Sequence, residues 1–429
     1  MNKFFIIPIN IVFLILPVMI FGQKHPVNTT YFNEIKKKNI CTVQMYPSDW
    51  ALTEPIIELN STNQLLFSFD EIEENIQDYS YRIIHCTADW QNSNLSQFDY
   101  LDGFMENQIQ DYERSFNTNV NYIHYSLQIP NEDIQLRLSG NYILEVYEDF
   151  DPDKVIIRQR FKIFDTEIEI TGEVKQPAAI SNRNTHQELN FSIWHPNFKI
   201  DNPQGDLKVI LTQNKRFDGS QKKLKPLFIR KNELVFTDKS QNTFPGGNEF
   251  RNFDLKSLRY QTSSIQEISN RDGQTHVHLV PGHIRQFDRY IYDRDINGRY
   301  LIDVQESDEP NTEADYSYVT FYLPFDDEIK HGDLYVYGNF CNWQCSDINK
   351  MVYNFRAKCY QKTIFLKQGY YNYQYALLEN GKQVPDLHYI EGNHWQTENE
   401  YTIYVYYHEF AGNYDRLIGY KTINSTAKF

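Results

Sequence analysis

His276 and His278 flank Val277 in an alternating run, 275–280, and His283 follows closely. Residues two apart on a strand share a face, and imidazoles so placed can converge on one metal ion. No further ligand stands at an evident spacing, so the competing expectation is a solvated polar strand face, and no cofactor is expected. His85 beside Cys86 supplies the residue types of a thiol–imidazole dyad. Neighbours on a regular strand point to opposite faces, which keeps the two groups apart. A denser cluster is Gly246-Gly247-Asn248-Glu249-Phe250-Arg251-Asn252-Phe253-Asp254. There Arg251 is within sequence reach of Glu249 and Asp254 for a bidentate ion pair. The loop is either a self-stabilised structural element or an edge that meets a partner. Glu249, Arg251 and Asp254 are the candidate partner-binding residues, together with Trp343, which reads either as a surface anchor or as a core lid. No Gly-rich phosphate loop, GxSxG elbow or HExxH helix occurs, and carboxylates are too common to nominate an acid/base pair. The expectation is a non-catalytic protein.

The scaffold that must carry these residues is indicated by composition. Of 429 residues, 15% are aromatic, with 32 Tyr and 29 Phe, while alanine is scarce. That balance favours strands over helices. With 42 Lys+Arg against 57 Asp+Glu, the formal charge is −15, which argues against a nucleic-acid or polybasic membrane-surface protein. Five cysteines, Cys41, Cys86, Cys341, Cys345 and Cys359, are too few for a disulfide scaffold, and an odd number leaves at least one unpaired. Lys3 precedes an apolar run, 4–21, interrupted by Pro8, Asn10 and Pro17, and Gly22 precedes Gln23. This pattern predicts a secretory signal peptide over 1–22. No other run is apolar and long enough to span a bilayer, so direct membrane insertion is not expected.

Strand-like runs recur throughout, at 64–69, 79–86, 121–129, 142–147 and 155–164, then 167–174, 188–194, 206–212, 226–236 and 274–280. A last group lies at 318–323, 334–337, 363–366, 371–378 and 401–407. Many short strands separated by turns predict β-sandwiches rather than βαβ units. One or two helical turns are expected at 109–115. Acidic residues and Pro310 make 306–315 read as a solvated linker. The expected organisation is all-β, with three tandem sandwich modules at 23–165, 166–305 and 316–429.

An ordered series of local runs carries a family resemblance. It begins with Tyr81-Arg82-Ile83-Ile84-His85-Cys86-Thr87-Ala88-Asp89-Trp90 and Tyr100-Leu101-Asp102-Gly103-Phe104. Ser115-Phe116-Asn117-Thr118, Tyr122-Ile123-His124-Tyr125 and Ser139-Gly140-Asn141-Tyr142 follow, then the 246–254 cluster. Asn297-Gly298-Arg299-Tyr300, Lys367-Gln368-Gly369-Tyr370-Tyr371-Asn372-Tyr373 and Tyr414-Asp415-Arg416-Leu417-Ile418-Gly419 complete it. Taken in order, these resemble the plug protein of the type IX secretion system. The resemblance implies a periplasmic protein whose partner is a very large outer-membrane translocon barrel and whose role is to close its inner mouth at rest.

The last module also resembles an early-set immunoglobulin-like domain of the glycogen-binding type. The residues concerned are Leu334-Tyr335-Val336-Tyr337-Gly338-Asn339-Phe340 with Asn342-Trp343, and Gly369-Tyr370-Tyr371-Asn372-Tyr373 with Asn380-Gly381-Lys382. The alternative function it implies is an exported carbohydrate-binding accessory protein. The stretch Lys382-Gln383-Val384 lacks the second aromatic platform of the sugar-binding members, so a small-molecule ligand is not expected.

Overall fold

The computed structural model describes residues 30–425; the expected signal peptide at 1–22 lies outside them. The all-β expectation holds, with only single-turn helices between strands. In the first sandwich, Val155–Phe164, Gly140–Glu148 and Tyr79–Cys86 are the central strands of one sheet. Ile40–Pro47, Leu65–Glu71, Ile123–Ile129 and Asp111–Arg114 form the other. Alternation places Tyr79, Tyr81 and Ile83 in the core against Phe67, Phe69 and Tyr125, while Arg82 points outward to Glu145. The expected helical turn at 109–115 is instead the edge strand Asp111–Arg114, paired with Ile123–Ile129. Its four residues are all exposed, and its charges protect an open sheet edge from further pairing.

The other two sandwiches do not follow the expected boundaries. The hairpin Glu400–Glu409 and Tyr414–Asn424 does not stay with 316–398 but pairs with Leu207–Gln213, through partners such as Leu211 with Ile403. Tyr401, Ile403 and Val405 thereby share a core with Leu189, Phe191 and Ile193. Conversely, Arg251–Asp254 pairs with Gly369–Glu379, and Gln274–Leu279 runs parallel to Tyr316–Pro324. The third sandwich is therefore inserted into the second between Pro245 and Asn399. The reason is complementary apolar faces: each alternating strand docks where a facing core accepts it, whatever its place in the chain.

The expected linker is exposed at Glu306, Asp308, Glu309 and Asn311, but its end at Ala314 and Asp315 is not solvated. Asp315 is buried and accepts hydrogen bonds from the Asn119 backbone and side chain and from the Val120 amide, at 2.8–3.1 Å. The Tyr122 hydroxyl donates to the Ala314 carbonyl at 2.9 Å. At the same junction Lys367 of the third sandwich meets Asp70 of the first at 2.6 Å, each side chain only 1% exposed. His124 and the Tyr316 hydroxyl complete the shell around Asp70. The second sandwich meets the first through Asp415, which accepts from the Ala88 amide at 2.9 Å, and through Arg416 with Asp165.

Candidate functional site

The 246–254 cluster is an internal hub. The Arg251 side chain is 10% exposed, and its carboxylate partner is neither Glu249 nor Asp254 but Glu391, 140 residues away, at 3.0–3.1 Å. Arg285 joins the same carboxylate at 2.6–2.7 Å. Burial alone would raise the Glu391 carboxyl, but the two guanidinium groups hold it below the usual range. Glu249 is also buried, accepting from the Tyr290 hydroxyl at 2.5 Å and the Glu398 amide at 3.0 Å. Burial, with Asp295 and Glu398 nearby, pushes its carboxyl up to about 7. Asp254 stays at the margin, 3.6 Å from Lys256. Glu249 and Arg251, expected as partner contacts, are thus internal supports of the loop 281–299, whose Phe287 is 89% and Ile291 77% exposed.

Trp343 is a core lid. It is 7% exposed and packs edge-on against Phe250 and Tyr337. Gly298, at φ +78°, lies under its ring, and a Cβ there would overlap Trp343 and Phe250. The surface-anchor reading is corrected by this packing.

The histidines do not assemble a metal centre. His276 stacks on Tyr318, His278 Nδ1 lies 2.7 Å from the Tyr322 hydroxyl, and exposed His283 pairs with Asp288. Among the described residues no three His, Cys, Asp or Glu side chains are grouped to hold an ion. His85 and Cys86 occupy opposite faces of their strand. His85 packs on Tyr142, and burial lowers its imidazole to about 4. Cys86 lies against Trp90 and Ile143, where burial raises its thiol to about 12, the wrong direction for a nucleophile. All five cysteines are free thiols.

A cleft of about 1280 Å³ lies where the three sandwiches meet. The first sandwich contributes the outward face of Val155–Phe164, with Arg158, Arg160 and Lys162 at two-residue intervals. Lys162 is buried, 3.3 Å from Glu54, which also accepts from the Tyr404 hydroxyl at 2.6 Å. Across the cleft, Gln344 of the third sandwich donates to the Asn33 carbonyl at 2.8 Å, and the Tyr337 hydroxyl donates to Asp218 of the second at 3.0 Å. Sequence reasoning did not single out this ladder. Its signal was the alternation Arg158-Gln159-Arg160-Phe161-Lys162 in an otherwise apolar strand. Nothing local marks Asp70 or Glu391.

Fold and cleft together define an all-β protein of three interlocked sandwiches around one shared junction. A crystal structure of a hypothetical protein from Parabacteroides merdae ATCC 43184 is similar to it, with 36% sequence identity and a TM-score of 0.90. The match covers 92% of this chain and all of that one. Residues 40–165, which are the first sandwich, match the family described as type 9 secretion system plug protein 1st domain. No curated protein matches. The first sandwich is thus identified as a first domain of the type 9 secretion system plug protein family.

Proposed function

We propose that this chain is a non-catalytic periplasmic plug that closes the inner mouth of the type 9 outer-membrane translocon in its resting state. The match of the first sandwich to the plug family carries the reading. The physics of the assembly supports it. Occlusion requires a stiff body with a releasable interface, and buried ion pairs such as Asp70–Lys367 join the sandwiches. A specific but releasable contact of roughly 1,200–2,000 Å² would suffice. Among the described residues no helix is long and apolar enough to cross a membrane; the role asks for a docked body and needs no such helix.

The carbohydrate-binding alternative loses its main residue, because the Trp343 ring is packed between Phe250 and Tyr337 rather than presented to a sugar. The test is affinity purification of a tagged copy from its native host in mild detergent. Recovery of one very large outer-membrane barrel is the expected result. A clean preparation without it, together with retention on a polysaccharide resin, would overturn the plug in favour of the alternative.

A further inference from the structure

Arg160 differs from every other cation lining the cleft. Arg158 bonds Glu145 and Glu34 at 2.7–2.8 Å, Lys162 pairs with Glu54, Lys223 with Asp89, and Lys215 and Arg299 with Glu400. Arg160 has no carboxylate partner among the described residues. Its Nε donates to the Tyr31 carbonyl at 2.8 Å, and its Nη2 donates to the same oxygen. One edge of the guanidinium is thereby consumed. The Nη1–Nη2 edge remains, a planar fork of two parallel N–H groups that matches a carboxylate.

The surroundings hold the fork in place. The guanidinium lies over the Trp90 ring at 4.4 Å and over Phe32 at 4.8 Å. Trp90 is held at φ +61°, a conformation uncommon for a bulky residue, and is itself buried. Phe32 is 53% exposed on the cleft wall. Burial without a compensating carboxylate lowers the Arg160 pKa, so the site gains from an incoming anion.

We infer that the cleft is a binding site for an extended peptide segment, one carboxylate side chain seated on Arg160 and an apolar neighbour against the exposed Phe32. A single carboxylate fits better than phosphate, because only one cation lacks a partner and Glu34, Glu54 and Asp89 line the same cleft. A peptide fits better than a metabolite, because about 1280 Å³ exceeds the ~300–1,000 Å³ usual for small ligands. The inference goes beyond the plug reading and does not depend on it.

The test is calorimetric titration of the purified protein with the capped pentapeptide Gly-Phe-Glu-Phe-Gly, its Gln analogue, sodium acetate and inorganic phosphate. The Glu peptide is expected to bind about 10-fold or more tightly than the Gln peptide and both free anions. Arg160→Gln should abolish that preference. Gln383→Glu, on the exposed rim of the cleft and in none of the fold's ion pairs, should weaken the Glu peptide several-fold and leave the Gln peptide unchanged. The rim variant keeps the test decisive if Arg160→Gln lowers the melting temperature. Equal binding of the two peptides, no binding by either at millimolar concentration, phosphate binding as tightly as the Glu peptide, or indifference to Gln383→Glu would each overturn the site.

Discussion

At Asp70 a carboxylate that is almost wholly out of solvent is surrounded by Lys367, His124 and the Tyr316 hydroxyl. Burial alone would raise its pKa, but the lysine and histidine hold it below the ordinary value. Removing one partner strands the other charge, so Lys367→Met is expected to cost about 3–5 kcal/mol in urea unfolding at pH 7. Replacing both, as Asp70→Leu with Lys367→Met, should recover much of that loss; equal damage from the single and double variants would show that the pair is not the cause. Glu249 behaves oppositely, its folded carboxyl standing at about 7 against an ordinary 4.5. The folded state keeps this proton where the unfolded chain releases it, so Glu249 costs stability as pH rises from 4.5 to 7. Glu249→Gln is expected to raise the melting temperature at pH 8 relative to wild type, with no gain at pH 4.5. Asp70, Glu54 and Glu391 have lowered pKa values, so their stabilisation is complete above the ordinary carboxylate range and disappears on acidification below it.

At the scale of elements, the decisive feature is the final hairpin. Glu400–Glu409 and Tyr414–Asn424 supply half of a four-stranded sheet whose other members are Leu207–Gln213 and Lys222–Leu224. The inserted sandwich, by contrast, closes its own core from Phe253 to Ile390. A fragment spanning 250–395 is therefore expected to give a cooperative thermal transition by circular dichroism, and one spanning 316–429 is not. A folded 316–429 fragment would contradict the pairing. The strand runs themselves were legible from alternation, as in Glu188-Leu189-Asn190-Phe191-Ser192-Ile193-Trp194. The strand at 111–114 was not, because its four polar and aromatic residues carry no apolar alternation and form a strand only by pairing with Ile123–Ile129.

At the scale of the whole molecule, several of the contacts that join the sandwiches are buried or partly buried. Asp70–Lys367, Asp315 with Asn119 and Val120, Tyr404 with Glu54, and Asp415 with Ala88 all cross a module boundary. Three independent modules would unfold in separate steps; interlocked ones should unfold together. Guanidinium unfolding followed by tryptophan fluorescence and far-ultraviolet dichroism is expected to give one coincident transition. Separated midpoints would show that the modules move independently, which would also weaken the case for a stiff occluding body.

Composition and periodicity by themselves determined that this is an all-β, aromatic-rich, acidic protein, and the ordered local runs determined its family resemblance. Those properties are written in neighbouring residues, through β propensity and two-residue alternation. Only the tertiary structure decided that Arg251 answers Glu391, that Lys367 answers Asp70 across 297 residues, and that Trp343 is a lid. It also decided which strands share a sheet and that Arg158, Arg160 and Lys162 face a common cleft. The physical reason is that closing a longer loop costs little more entropy than closing a shorter one. Sequence distance therefore hardly restrains pairing, and the choice falls to complementary faces and charges that meet only once the chain has folded.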